Sequence, residues 1–574
     1  MNHFFIQYRT QCALGAIVGL AAFLMLFRLG FADIQIDDAM YSLRALGYLD
    51  FVDSNLQTTP VDWFDEIPWW SRLSFHDAPP LVFLIQYVFF KFLGTSVVVA
   101  RLPFALAGIG SVLLVYLIGK RLYGVEAGLL ASFLLAVSTY HTWGSRVGYL
   151  EPIALCFILL TILWFLKGLE RPTYFIWFGV SAGLMLLTKY TTIFLLPVIF
   201  LYLLWTRRDV LTSRHFITGL VIAVALFSPV LFYNVMMFKT RGHFDLQLAT
   251  LLHQNVSEDW PRVGSSEPYQ LGQLRAVVQD SAAYYSLPFR ILLLISLVYV
   301  VGRFFWLWKK GQPGQHLLLL LVLLLLIVEL SFIGSAPRFL ILLPPFYALT
   351  LTVLLLDSYH YLAAVNRQKT LTVTLVASLL LAALAGVELF FNINTNHRVR
   401  PIGESGSHYA PLRWTSQNLF NQLEAYLIAE AGLADAPFPA IGGKADFKLV
   451  LGEAGRNDNI FIYDPNLRWF SSLWYFRRWA IYHQKVFGSA DDIARVIGRV
   501  NWVDFFKNQV GAKNLYFIWG RSPAVLDPGV STADTQETAR QFAQLFAEQS
   551  QESKNITGDD GTVAFTIYKI SLNE

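Results

Sequence analysis

Two adjacent carboxylates, in Ile36-Asp37-Asp38-Ala39-Met40-Tyr41, follow directly on the first membrane-length apolar run. A carboxylate in hydrocarbon is costly, so acids at the edge of a span are candidates for chemistry before any other assignment. If the segment is helical, Asp37, Tyr41 and Arg44 share one face at i, i+4 and i+7. Asp38 then points about 100° away on the same wheel. One acid can face a reacting hydroxyl as a base while the other meets a cation or solvent. The same pair would also open an ordinary helix, where the terminal dipole favours Asp.

Four further groups stand at comparable places. His76 and Asp77 precede Pro79-Pro80, a pair that fixes an extended entry into the next apolar stretch. Taken alone, that stretch reads as turn chemistry with a solvated acid. Arg146, Tyr149 and Glu151 lie in Ser145-Arg146-Val147-Gly148-Tyr149-Leu150-Glu151-Pro152, where Pro152 suits a first helical turn beside the acid. Lys189, in Leu187-Thr188-Lys189-Tyr190, and Arg338, in Ala336-Pro337-Arg338-Phe339, each sit at a span terminus on the side expected to be poor in basic residues. Snorkelling to lipid phosphate would account for either one separately. Several exceptions at one depth point instead to a polar site.

These groups need a membrane scaffold. Of 574 residues, 55% are hydrophobic and 15% charged, with a mean hydropathy of +0.48, against roughly 25% charged in soluble domains. The net charge of +4 is too small to suggest a nucleic-acid partner. The two cysteines, Cys12 and Cys156, lie in apolar runs, form no metal-ligand spacing and do not report a redox compartment.

Taking roughly 20 apolar residues per span, runs near 11–29, 97–119, 125–143, 150–166, 174–189, 191–205, 216–237, 286–308, 316–334, 338–356 and 370–392 predict about eleven transmembrane helices. The first is read as a retained signal-anchor. Residues 80–94 are shorter and contain Gln86 and Lys91, and are read as an amphipathic helix along the interface. Basic residues at 120–121, 167–171, 207–214, 309–310 and 367–369 then mark alternate, cytoplasmic connections. The N-terminus is expected in the cytoplasm and the C-terminus outside a plasma (inner) membrane. Residues 1–396 form the membrane domain, with long external loops at 31–96 and 238–285. Sequons at Asn255 and Asn555 fall on the external side. From 397 to 574, alternating runs at 460–463, 515–518 and 563–568 and a helical stretch at 534–549 predict a soluble α/β domain. No glycine-rich phosphate loop or metal spacing is found there.

Taken together, these stretches resemble a known superfamily. Asp37-Asp38-Ala39-x-Tyr41 resembles the acidic-pair signature in the first external loop of GT-C-fold membrane glycosyltransferases. Within these, the chain is similar to the dolichyl-phosphate-mannose–protein mannosyltransferases and the lipid A aminoarabinose transferase. His76-Asp77-Ala78-Pro79-Pro80-Leu81 resembles the His-Pro-Pro-Leu element, and Arg101-Leu102-Pro103-x-Ala105-x-Ala107-Gly108 the Arg-Leu-Pro element. Ser145-Arg146-x4-Glu151-Pro152 resembles the second acidic motif. Leu187-Thr188-Lys189-Tyr190 and Pro337-Arg338-Phe339-x4-Pro344 resemble two later elements. The likeness runs in order over roughly 30–350. It departs at Glu151, where many members have Asp, and at Ala78, where a His or Lys is common.

The resemblance implies a polyprenyl-phosphate-linked sugar donor and a protein, lipid or glycan acceptor presenting a hydroxyl. Asp37, Asp38 and Glu151 would be catalytic, with Asp37 the base of an inverting transfer. Lys189, Arg338, Arg146 and His76 would hold the donor phosphate, and Tyr41, Asp77 and Tyr149 would contact substrate. No cofactor is firmly implied; a divalent cation stays open, with no residue spacing to support it. A flippase or transporter for lipid-linked sugars is the rival reading. It would place its site near the midplane on repeated halves, and no repeat is seen. A membrane scaffold would leave the acids at the membrane face without a purpose.

Overall fold

The computed structural model describes residues 2–52, 54, 57–260, 271–310, 314–400, 402, 418–430, 433, 458–483, 485–497 and 504–572. It is an α-helical polytopic membrane protein with a C-terminal α/β domain. Among the described residues, eight helices are long and apolar enough to cross a membrane: Tyr8–Leu26, Val97–Tyr123, Glu151–Glu170, Arg214–Arg241, Leu287–Lys309, His316–Ile333, Pro344–Val365 and Arg367–His397. The other three expected spans are occupied by shorter apolar helices, Val125–Val137, Pro172–Leu186 and Tyr190–Thr206. Leu81–Leu93 is also helical. At ~1.5 Å per residue it falls well short of a bilayer core.

The 125–143 run is short because it breaks. Its first piece ends at Val137, and Ser138 opens a second helix, Thr139–Ser145, by accepting the backbone N–H of His141 at 3.3 Å. Backbone groups freed inside apolar surroundings must find partners. The last span provides them. The Asn392 amide donates to the Val137 carbonyl at 3.2 Å and to the Thr142 hydroxyl at 2.9 Å. One oxygen of the fully buried Glu388 accepts the Thr139 N–H at 3.2 Å, and the other accepts the Ser286 N–H at 3.3 Å. Small residues let other helices approach closely. A Cβ on Gly179 would lie 2.1 Å from the Gly219 carbonyl oxygen, so the Phe175–Leu186 and Arg214–Arg241 helices meet backbone to backbone.

The chain divides into two compact units, Met1–Leu29 with Leu73–Trp414, and Gly30–Arg72 with Thr415–Glu574. The division cuts the expected 31–96 loop at residue 72 and groups its first part with the C-terminal domain. In this second unit a five-stranded sheet runs β2-β1-β3-β5-β4, with β1 Asn459–Tyr463, β2 Val486–Ser489, β3 Asn514–Gly520, β4 Glu552–Thr557 and β5 Val563–Ser571. β1 pairs parallel with both β2 and β3, while β5 pairs antiparallel with β3 and β4.

Alternation buries both faces of β1, β3 and β5, while β4 is an exposed edge strand. Ile460, Ile462, Leu515 and Phe517 share one apolar core with Phe542 and Phe546 of the Ala533–Gln549 helix. The alternate residues form an aromatic layer. Phe461 stacks on Phe487 at 4.6 Å and on Tyr516 at 5.1 Å, and Tyr463 stacks on Phe476 at 4.6 Å. Phe476 belongs to a helical run, Trp469–His483, whose middle turn, Leu473–Arg477, is a π-helix.

Candidate active site

In the second unit, Ile36–Leu46 is a helix with Asp37 and Asp38 in its first turn and Arg44 in its last, so Asp37, Tyr41 and Arg44 do share a face. Acid at the start and base at the end both suit the helix dipole. Asp37 and Asp38 are buried, at 9% and 2% exposure. Arg44 is buried in an ion pair with Asp50.

In the first unit, Glu151 meets Lys189, and Lys189 and Arg338 meet one aromatic ring. Glu151 opens the Glu151–Glu170 helix, with Pro152 in the first turn. One of its oxygens pairs with the Lys189 ammonium, and the other is buried without a hydrogen-bond partner among the described residues. Lys189 occupies an extended link between the Phe175–Leu186 helix and the 3₁₀ turn Tyr190–Phe194. Thr192 closes that turn by donating to the Lys189 carbonyl at 2.8 Å. The Lys189 ammonium lies 4.4 Å from the centre of the Phe339 ring, and the Arg338 guanidinium carbon 4.8 Å from the same centre. Two cations thus share one aromatic ring, each gaining about 0.5–2 kcal/mol.

Arg338 sits in the short helix Pro337–Leu340, whose Pro337 carbonyl accepts the Tyr140 hydroxyl. Tyr140 stacks on Trp143 at 5.8 Å, and Trp143 meets Tyr149 edge-on at 5.8 Å. The broken helix Thr139–Ser145 therefore supports both the Arg338 turn and Tyr149.

Arg146 is placed differently from Lys189 and Arg338. Its guanidinium donates to the carbonyls of Leu24, Met25, Phe27 and Arg28 at 2.8–3.1 Å, capping the C-terminus of the first span. These bonds favour a structural role over phosphate binding. His76 is buried, its carbonyl accepts the Leu246 N–H at 2.6 Å, and its ring lies 4.9 Å from that of Trp260. Asp77 is half-buried beside it. The Leu81 N–H donates to the Leu187 carbonyl at 3.0 Å, which fastens the Pro-Pro stretch to the link carrying Lys189.

The loop after the Arg214–Arg241 helix fastens the residue next to Lys189. The Tyr190 hydroxyl donates to Asp245, which also accepts the Asn234 amide at 3.0 Å and caps the Leu246–Leu251 helix through the Leu248 N–H at 3.0 Å. Burial pushes the Asp245 carboxyl above its ordinary range, opposed by these hydrogen bonds.

Three residues here carry weaker signals in the sequence. Phe339 stands in the sequence only as part of the Pro337-Arg338-Phe339 motif. Glu329, in the Gly314–Ile333 helix, has one oxygen buried without a hydrogen-bond partner among the described residues. Glu388 lies in the last span. A single rule would have found both acids, since any carboxylate within an apolar run is a candidate.

Residues 77–233 match the family profile described as dolichyl-phosphate-mannose-protein mannosyltransferase. Two Bacillus subtilis (strain 168) proteins are similar. "Putative mannosyltransferase YkcB" is 32% identical over 164 residues, 27% of this chain and 22% of its own length. "Putative mannosyltransferase YycA" is 26% identical over 164 residues, 26% and 24% of the two chains. The matched part is thus about a quarter of the length of these curated relatives. Among solved structures, the apo oligosaccharyltransferase of Archaeoglobus fulgidus aligns with a TM-score of 0.50 at 13% identity, covering 98% of this chain and 74% of that one. ArnT from Cupriavidus metallidurans bound to undecaprenyl phosphate aligns with a TM-score of 0.49 at 13% identity, covering 96% and 97%.

The profile match includes Asp77, Arg146, Tyr149, Glu151 and Lys189, and stops short of Asp37, Asp38, Tyr41, His76 and Arg338. The chain is similar to GT-C glycosyltransferases in fold, and over residues 77–233 it carries the sequence pattern of the dolichyl-phosphate-mannose-protein mannosyltransferases.

Proposed function

We propose that the protein is a membrane glycosyltransferase that moves a sugar from a polyprenyl-phosphate carrier to an acceptor hydroxyl at the external face of the plasma (inner) membrane. The observation that carries this reading is the joining of Glu151, Lys189 and Arg338 around Phe339, at the ends of apolar helices and largely within the stretch that matches the mannosyltransferase profile. Two cations held beside one acid suit an anionic headgroup whose charge grows during reaction. A sugar–phosphate diester carries one negative charge, and the departing polyprenyl phosphate carries more once the bond to the sugar breaks. Fixed cations stabilise that increase where they would not stabilise a neutral leaving group.

In this reading Asp37 takes the proton of the incoming hydroxyl as the acceptor oxygen bonds to the anomeric carbon. The carbon–oxygen bond to phosphate breaks on the opposite side, which inverts the configuration. Lys189 and Arg338 bind the phosphate, with His76 and Asp77 on the approach. Glu151 holds Lys189 in place and offers its second oxygen to substrate. Asp38, Tyr41 and Tyr149 line the acceptor and sugar. Arg146 acts by fixing the first span.

The test is purified protein supplied with synthetic polyprenyl-phosphate hexoses and pentoses and a panel of peptide, lipid and glycan acceptors. Release of free polyprenyl phosphate together with a glycosylated product of inverted configuration is expected. Movement of the intact donor across a vesicle membrane without cleavage would overturn the reading in favour of transport.

A further inference from the structure

The residues leading into the acid pair are held by the C-terminal domain almost one by one. Asp33 is 1% exposed, and its carboxylate accepts the backbone N–H groups of Leu419, Phe420 and Asn421 at 3.0, 3.1 and 2.9 Å. An acid from the front of the chain thereby satisfies the first N–H groups of the Leu419–Glu430 helix, nearly four hundred residues on. Asn421 answers by donating its amide to the Gly30 and Phe31 carbonyls, each at 3.1 Å. The Asn421 side-chain oxygen accepts the Tyr475 hydroxyl at 2.6 Å, and that hydroxyl in turn accepts the Ile34 N–H at 3.1 Å. Gln35 accepts from the Arg468 guanidinium at 3.2 Å.

Immediately after this tether, Ile36 has φ of 55°. A β-branched side chain almost never adopts that left-handed conformation, and where it does the surroundings must hold it there. The next residue is Asp37. The far end of the helix is held too. The Tyr482 hydroxyl donates to the Leu43 carbonyl at 2.7 Å, and the Tyr482 ring packs where a Cβ on Gly47 would fall, 2.2 Å from a ring carbon.

We propose that the C-terminal domain is a clamp for the acid pair. Asp33, Asn421 and Tyr475 are positioning residues that keep Ile36 left-handed, and that turn sets the direction in which Asp37 and Asp38 project. Released from the clamp, Ile36 relaxes to negative φ and the first helical turn swings away. This assignment gives residues 418–572 a role in catalysis that requires no contact with substrate. Its kinetic consequence rests on the glycosyl-transfer reading above; its structural consequence does not.

The experiment uses the full chain in lipid nanodiscs. Tyr475→Phe removes the hydroxyl's hydrogen bonds to Ile34 and Asn421 but keeps the ring that stacks on Phe420 at 5.2 Å. Ile36→Gly removes the side chain that opposes positive φ. Amide exchange is followed over 36–46, with the Ala533–Gln549 helix as the control for an intact domain, and kcat and donor KM are measured separately.

Tyr475→Phe should speed exchange over 36–46 and lower kcat about tenfold or more at unchanged donor KM, as expected when a base is displaced by a fraction of an ångström. Adding Ile36→Gly should recover most of the lost kcat. Wild-type exchange and kcat in Tyr475→Phe, or no recovery in the double variant, would overturn the clamp. If Tyr475→Phe does not accumulate as folded protein, Asp33→Asn carries the same expectations. If the wild type transfers no sugar, the transfer reading fails alone and the exchange measurement still decides the clamp.

Discussion

Lys189 shows how much a neighbour changes the meaning of a charge. Alone, a lysine at a span terminus snorkels. Here it pairs with Glu151, which is 1% exposed, and lies over Phe339. Removing one partner of such a pair leaves an uncompensated buried charge. Lys189→Ala and Glu151→Gln should therefore each destabilise the protein, and the double variant should cost less than their sum by about 0.5–3 kcal/mol. Unfolding in detergent measures this coupling, and strict additivity would mean that the pair contributes nothing. Lys189→Ala should also raise the donor concentration needed for half-maximal rate, and an unaltered donor curve would remove Lys189 from phosphate binding. Asp37→Asn preserves shape and removes the base. It should keep the fold and lower single-turnover transfer by about 10²–10⁴-fold, whereas a wild-type rate would send the search for a base to Asp38 or Glu151.

The segment between the Arg214–Arg241 helix and Trp260 carries its own pH dependence. His243 Nε2 lies 2.8 Å from Asp259 and Nδ1 lies 2.5 Å from the Phe244 carbonyl, so both ring nitrogens face acceptors and the imidazolium satisfies both. The hydrogen bond to Asp259 raises the His243 pKa above its ordinary value, against burial and the nearby Arg241, which also pairs with Asp259. A raised histidine pKa means stabilisation that is complete below the unfolded value of about 6.5 and is lost as pH climbs through the folded one. Amide protection over 242–260, taken relative to the intrinsic exchange rate at each pH, should accordingly fall from neutral to mildly alkaline pH, and His243→Gln should abolish that fall. A flat profile in the wild type would show that the bond has no such weight. This segment also holds Tyr190 through Asp245, so its loosening should be felt at the link that carries Lys189.

For the chain as a membrane protein, the sidedness expected from its basic residues is open to direct labelling. Single cysteines at the exposed positions Ser257 and Lys554, in a background with Cys12 and Cys156 replaced, should react with an impermeant maleimide added outside intact cells. Cysteines at Lys310 and Lys369 should react only after permeabilisation. The reverse pattern would invert the topology and put the proposed chemistry on the cytoplasmic face.

Local pattern made a good part of this molecule legible. Apolar run length located the spans because a bilayer imposes one thickness on every helix. Period-two alternation located β1, β3 and β5 because both faces of those strands are buried. Residue type picked out Asp37, Glu151, Lys189 and Arg338, since charge at a membrane edge needs a reason. What pattern could not supply was partnership. Nothing in the spacing tells Lys189, which faces Glu151 and Phe339, from Arg146, which caps the first span, because hydrogen-bond geometry across a hundred residues leaves no period in the chain. Nor could it show that Gly30–Arg72 groups with the C-terminal domain. That attachment is made by Asp33, Asn421 and Tyr475, three unremarkable side chains whose meaning comes from long-range backbone contacts formed only on folding.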